Sequence, residues 1–156
     1  MEQRVPKPSD LTGYATHRLV MGLAGPAQYV DNGDHLLIRH GPTESAAALD
    51  SILGFTLKAC VSVKVRGRHQ YFPISDWRSR HAWLVRKAQS HGFEVLTVHA
   101  EGGMLKVKAH NGRDFTLDAT DFVGALKVTD VEKFNQALAC GVGSTGKAFG
   151  LGMLCL

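Results

Sequence analysis

The stretch GVGSTGKAFGLG, Gly141–Gly152, decides the fold, because its first eight residues lie one letter from a nucleotide-phosphate loop. GVGSTGKA departs from G-x-x-x-x-G-K-[ST] only at Ala148, which removes the hydroxyl that would hold Mg²⁺. A nucleotide-hydrolysing loop joins a strand to the helix whose N-terminus it opens. Here the order runs the other way. Thr129-x-x-Glu132 reads as a capping box opening a helix through Val131, Phe134 and Leu138, and Gly141 stops it. Downstream, LGMLCL reads as a closing strand. A helix enters the loop and a strand leaves it. Only about ten residues follow Lys147, too few for the helix and parallel strands of an NTPase core. Glycines 141, 143, 146, 150 and 152 let one backbone approach another, or aim N–H groups at an anion, with Lys147 as a point charge. An RNA backbone suits that chemistry as well as a nucleotide does, and a plain C-terminal turn has the same composition.

Working back from the loop, DFVGALKV reads as a strand, and MLKVKAHNGRDFTLDA as a hairpin turning at Asn111-Gly112 in a type I′ turn. FEVLTVHA is a strand. Asp76–His91 is a helix with Trp77, His81, Leu84 and Ala88 on one face, closed by Gly92, and ACVSVKVRGR alternates as a strand. Residues 55–156 thus run strand, helix, strand, hairpin strand, helix, strand, the βαββαβ order of an α+β ferredoxin-like domain, the frame also used by RNA-recognition modules.

Ahead of it, residues 1–54 read as a reduced unit of the same kind. Ser9 or Asp10 caps a helix to about Leu23, with Leu11, Ala15, Leu19 and Leu23 as its apolar stripe and Gly25-Pro26 as its stop. HLLIRHG is a short strand, and Glu44–Leu53 an alanine-rich helix. MEQRVPKP offers only Val5 to a core, so no first strand is expected.

Composition fits a soluble globular chain: 156 residues, 44% hydrophobic and 21% charged. No apolar run has the length of a membrane span, and MEQRVPKPSD carries no secretion signal, so the cytoplasm is the expected compartment. Cys60, Cys140 and Cys155 are odd in number and form no C-x-x-C, which argues against a disulfide framework or zinc knuckle. His35, His40, His91, His99 and His110 show no metal-ligand spacing, and neither cofactor nor metal is expected. Lys+Arg 18 against Asp+Glu 14 gives +4. The excess is concentrated: Lys58, Lys64, Arg66, Arg68, Arg78, Arg80, Arg86 and Lys87 stand against Asp76 alone, beside His69 and His81. Such a block suits a polyanion. Lys106, Lys108 and Arg113 form a second, weaker basic edge.

The string FVGALKVTD…FNQALACGVGSTGKAFGLGMLCL resembles the C-terminal signature of the CasE-type CRISPR repeat-cleaving endoribonucleases, the RNA-processing subunit of type I-E Cascade. That signature is an F-x-G-x-L-x-[IV]-x-D strand, a helix, then a glycine-rich loop with a basic residue ending in G-x-G-[LM]-L. ISDWRSRHAWLVRKAQSHGFEV is similar to the family's A-W-L-x-R-K helix and following strand. Tyr14-x-x-His17 resembles its Y-x-x-H catalytic pair, and LLIRH the strand after it.

The resemblance implies metal-independent cleavage of precursor CRISPR RNA 3′ of the repeat stem-loop. The ribose 2′-OH attacks the adjacent phosphate, leaving a 2′,3′-cyclic phosphate and a 5′-OH. It makes His17 the general acid or base, a task suited to imidazole, and Tyr14 its orienting partner. Spacing of three puts the two on one helix flank, beside Met21. Lys64, Arg66, Arg68, Arg78, Arg80, Gly143, Gly146 and Lys147 would hold the repeat RNA. The implied partners are the repeat stem-loop and the other subunits of a Cascade-like complex, with no membrane. The rival reading is a non-catalytic hairpin-binding subunit of such a complex.

Overall fold

The computed structural model describes residues 1–11, 13–41, 47–108 and 111–156. Its N-terminal elements are β1 (Glu2–Pro6), α1 (Tyr14–Ala24), β2 (Gln28–Asp31) and β3 (His35–Arg39). The strands form an antiparallel sheet in the order β1-β3-β2. A first strand therefore exists, contrary to the sequence expectation. β1 lies at a sheet edge and pairs along its length with β3, Glu2 opposite Arg39. An edge strand is held by backbone pairing and needs little apolar content, which is why MEQRVPKP gives so weak a signal. Val20, Tyr29, Leu36 and Ile38 make the core of this unit.

α1 starts later than Ser9 or Asp10 would set it. Gly13 stands at its N-cap, and Gly25 ends it, donating its N–H to Met21 O. Its buried residues are Thr16 and Val20, while Leu23 is exposed. The four-residue stripe was one step out of phase with the face that packs.

Part of the expected Glu44–Leu53 helix, Glu44 to Ala46, lies outside the described residues. The rest is not helical. Asp50 takes a positive φ of 64°, its N–H donates to Val128 O, and Ile52 already belongs to β4 (Ile52–Ala59). Pairing with the neighbouring strand overrides alanine propensity here.

After β4 come β5 (Val63–Val65), β6 (Arg68–Gln70), α2 (Trp77–Ser90), β7 (Phe93–Glu101), β8 (Met104–Lys108), β9 (Asp114–Asp118), β10 (Thr120–Val128), α3 (Val131–Cys140), a single 3-10 turn (Lys147–Phe149) and β11 (Leu154–Cys155). The main sheet has the order β11-β4-β10-β7, antiparallel throughout. With α2 between β4 and β7 and α3 between β10 and β11, this is the βαββαβ ferredoxin-like order expected. The β8–β9 hairpin is an insertion between the second and third strands of that frame. Phe55, Leu57, Phe122, Leu126 and Phe93 of the sheet bury against Trp83 and Leu84 of α2 and Phe134 and Leu138 of α3. Trp83 stacks on Phe122 at 6.1 Å.

Turn chemistry differs from expectation in two places. ACVSVKVRGR is not one strand: β4 ends at Ala59, and β5 and β6 form a separate hairpin with Val65 opposite Arg68. Its two-residue turn is Arg66-Gly67, both at positive φ (50° and 79°), as a type I′ turn requires. At the β8–β9 hairpin the last pair is Lys108 with Asp114, so the connection is five residues long. Among its described residues only Gly112 takes a positive φ, and Asn111 accepts a hydrogen bond from Arg113 N–H. Ala109 and His110 lie outside the described residues. α3 is capped by Asp130, whose side chain accepts from Lys133 N–H, rather than by Thr129. Among the described residues no helix is long and apolar enough to cross a membrane.

Candidate nucleic-acid interface

A cleft of about 590 Å³ forms where α1, β2, β3, the end of α3 and the glycine-rich loop meet. His17 and Met21 line it from α1, Arg39 from β3, and Lys147 and Ala148 from the loop. The structure thus brings His17 and Lys147, residues 130 positions apart, to one cavity. Tyr14 is exposed beside it, its ring 6.3 Å from the His17 ring and tilted by 45°. The pair sits on the flank that the spacing implied, with Met21.

The floor of this cleft is the C-terminal end of α3, whose last carbonyls have no partner within the helix. Arg39 Nη1 and Gln28 Nε2 donate to Leu138 O at 2.9 and 2.8 Å. Gln28 Nε2 donates also to Ala139 O, and Lys147 Nζ to Cys140 O at 2.7 Å. Cations belong at this end, where the helix dipole is negative. Arg39 is buried, and it also donates to Glu2 Oε1 and Leu154 O. Sequence reading missed Arg39 and Gln28. Their only trace is a charged residue closing the LLIR run and a glutamine after Gly25-Pro26.

The loop runs from α3 through the 3-10 turn to β11, so the helix-in, strand-out order holds. Gly146 has φ +80, and a Cβ there would stand 2.6 Å from Leu151 Cδ1. Gly150 has φ +79, and a Cβ there would stand 2.9 Å from the Tyr29 ring. Tyr29 Oη donates to Ala148 O at 2.8 Å, and burial pushes that phenol's pKa up. Gly143 lies over the edge of Trp83. Packing demands Gly146 and Gly150, and a φ of +88° favours glycine at 143, independently of any ligand. Lys147 is exposed; its ammonium has three donors, of which Cys140 O takes one.

The basic block divides. Lys64, Arg66 and Arg68 are exposed on the β5–β6 hairpin, Arg66 at its tip. Arg78 is exposed on the first turn of α2, its guanidinium 5.4 Å from the Trp77 ring centre. Arg80 is not on the surface, and its placement among RNA contacts is corrected. It is fully buried, ion-paired with buried Asp118 at 2.6 Å, and bonded to Thr120 Oγ1 and the carbonyls of Phe72, Pro73 and Ile74. No donor direction remains for a phosphate. The buried face of α2 is Arg80, Trp83, Leu84 and Ala88, and Trp77 is exposed, a rotation from the expected Trp77/His81 face.

The open face of the main sheet differs from an RNA-recognition module. It presents Val123 and Leu96 rather than stacking aromatics, and its cations are paired: Lys58 with Asp121 at 3.6 Å, Lys127 with Glu94 at 3.2 Å. Among the described residues, positive charge without an ion pair collects on the other elements, the β5–β6 hairpin, α2 and the loop.

No curated protein sequence matches the chain significantly. Solved structures do match. The fold superimposes on CRISPR endoribonuclease Cse3 bound to a 19-nucleotide RNA with a TM-score of 0.79 at 21% identity, covering 98% of this chain and 96% of that one. The CRISPR-associated protein Cas6e from Escherichia coli K-12 gives 0.76 at 17% identity, with the same coverages. A chain of a CRISPR RNA-guided surveillance complex gives 0.72 at 18%, again over 98% and 96%. These TM-scores support the ferredoxin-like fold that the order of elements predicted. The sequence model of the CRISPR associated protein family matches residues 26–156, and the chain belongs to that family.

Proposed function

We propose that this chain is a CRISPR repeat-RNA endoribonuclease that cuts precursor RNA 3′ of the repeat stem-loop without a metal and stays bound to the hairpin. The observation that carries the reading is the meeting of His17 and Lys147 in one cleft. Transesterification of RNA requires a group that moves a proton and a cation for the charge that builds on the phosphoryl oxygens. The 2′-oxygen loses its proton and bonds to phosphorus. The 5′-oxygen departs and takes a proton, giving a 2′,3′-cyclic phosphate and a 5′-OH, with no water consumed. His17 serves one of the two proton transfers. Tyr14, one helical turn away, orients the reacting oxygens, and Lys147 steadies the phosphate through the donors not turned to Cys140 O. Lys64, Arg66, Arg68 and Arg78 hold the stem through its phosphates. Gly143 and Gly146 shape the loop that delivers Lys147.

Support from outside the chain is the fold shared with an endoribonuclease bound to RNA and with a chain of a surveillance complex. On this reading residues 1–54 carry the catalytic helix and residues 55–156 the RNA-binding domain. The protein would act in the cytoplasm, within a Cascade-like assembly.

The test is incubation with a repeat stem-loop RNA in EDTA. A single cut 3′ of the stem, with a cyclic phosphate end, is expected. His17→Ala should lower the rate by a factor of about 10² or more while leaving RNA affinity unchanged. Tight binding with no cleavage by the unaltered protein would remove the catalytic claim and leave a hairpin-binding subunit.

A further inference from the structure

A second cavity, of about 310 Å³, lies where the β5–β6 hairpin, α2 and the glycine-rich loop converge. Its polar lining is Ser62, Lys64 and His69 from the hairpin, Lys87 from α2, and Ser144 and Thr145 from the loop. Among the described residues no carboxylate lines it. Two ammonium groups, an imidazole and three hydroxyls around one hollow make a set of donors suited to an oxyanion. The donors are also held in place. Lys87 Nζ lies 5.8 Å from the ring centre of Trp83, and Trp83 is buried and stacked on Phe122. His69 Nδ1 lies 3.0 Å from Ser62 Oγ, which fixes the ring. Among the described residues neither Lys64 nor Lys87 forms an ion pair. Lys58 and Lys127, on the open sheet face, both do.

We propose that this cavity is a phosphodiester-binding subsite for the RNA, separate from the cleavage cleft and reached from the same loop. The cleft takes Lys147 and Ala148, whereas this cavity takes Ser144 and Thr145, three residues earlier. An RNA strand crossing the loop is then gripped on both sides of it. A contact to the phosphodiester positions the strand without itself reading sequence. The inference rests on the RNA-processing reading above and adds His69, Lys87, Ser144 and Thr145 to its contacts.

The experiment is a binding titration of a repeat stem-loop RNA, in a series carrying one uncharged methylphosphonate linkage each. The proteins are the unaltered chain, Lys87→Gln, Thr145→Val and, as a control on the open sheet face, Lys127→Gln, each checked for an unchanged melting temperature. Lys87→Gln should weaken binding about 5- to 20-fold and make the slope of log K against log salt shallower by about 0.7 to 0.9. Thr145→Val should weaken it about 3-fold through one lost hydrogen bond. One linkage should matter to the unaltered protein and lose most of that effect in Lys87→Gln, the non-additivity of two groups in contact. If both variants bind like Lys127→Gln and no linkage couples to Lys87, while the unaltered protein still binds RNA, the subsite is overturned and the RNA reading stands. If inorganic phosphate binds through Lys87 but no linkage couples, the cavity is a free-anion site and the RNA assignment is overturned. If the unaltered protein binds no repeat RNA, both fall.

Discussion

Replacing Arg80 by Met would test whether a buried ion pair anchors the basic hairpin. Arg80 shows no solvent exposure. Its Nη1 donates to Asp118 Oδ2 and Thr120 Oγ1, both at 2.6 Å. Nη2 donates to Phe72 O and Pro73 O, and Nε to Ile74 O. Asp118 in turn accepts from Val61 N–H at 3.1 Å. Val61 immediately precedes the β5–β6 hairpin and Phe72 closely follows it, so one ion pair clasps both of its stems. Methionine retains the aliphatic stem and strands a buried carboxylate with three carbonyls. Removing one partner of such a pair costs about 3–5 kcal/mol. At roughly 2–4 °C per kcal/mol for a chain of this length, the melting temperature should fall by about 10 °C. Arg80→Lys should recover little, because an ammonium cannot span the same fork of acceptors. Arg80→Met with Asp118→Leu should be more stable than the sum of the single changes by about 2 kcal/mol. Urea unfolding of the unaltered protein, Arg80→Met, Arg80→Lys, Asp118→Leu and the double variant measures this. RNA titration supplies an independent readout: Arg80→Met should lower affinity without altering the salt slope, since no phosphate contact is removed, whereas Arg68→Ala should make the slope shallower by about 0.7 to 0.9. A loss below about 1 kcal/mol, or additive double-variant energies, would refute the clasp.

Gly150→Ala should cost about 2–4 kcal/mol, combining the left-handed backbone with contact against the Tyr29 ring. By displacing the 3-10 turn it should reduce the cleavage rate more than RNA affinity, a split that single-turnover kinetics would show. Tyr29→Phe, which leaves Ala148 O without its donor, should cost about 1 kcal/mol in a urea titration. Asp76 and Asp130 have lowered carboxyl pKa values. The cause is a side-chain followed by a backbone hydrogen bond with Ser79 at Asp76, and a backbone hydrogen bond with Lys133 at Asp130. Groups lowered on folding stabilise fully above their unfolded value, near about 4, and lose that contribution as pH falls through the folded value. Melting curves from pH 7 to pH 2.5 should therefore fall less steeply for Asp76→Asn/Asp130→Asn, in which the caps persist without the charge; equal slopes would count against the assignment.

How much of this was legible in the sequence depends on what each residue answers to. The course from DFVGALKV through α3 and the glycine-rich loop to LGMLCL could be read because periodicity and glycine stops are local signals. β2 could not: it is four residues long, too short to show alternation. Arg80 was misread because a count of charges registers sign and not the acceptors a fold assembles around it. Its burial had left a mark, since Arg80, Leu84 and Ala88 recur at four-residue steps beside Trp83 on the apolar face of α2. The cleft was beyond local reading altogether. Neither Tyr14-x-x-His17 nor the loop contains any reference to the other; the end of α3 brings them together. Its last three carbonyls take Arg39 from β3, Gln28 from β2 and Lys147 from the loop. Chain leaving that helix must turn back across its own C-terminus and pass close to the Tyr29 ring, which a Cβ at Gly150 would obstruct. The glycines that imitate a nucleotide loop are therefore explained by the path the chain takes. Lys147, the residue that made the imitation persuasive, stands where a helix end attracts a cation and where His17 shares the cavity.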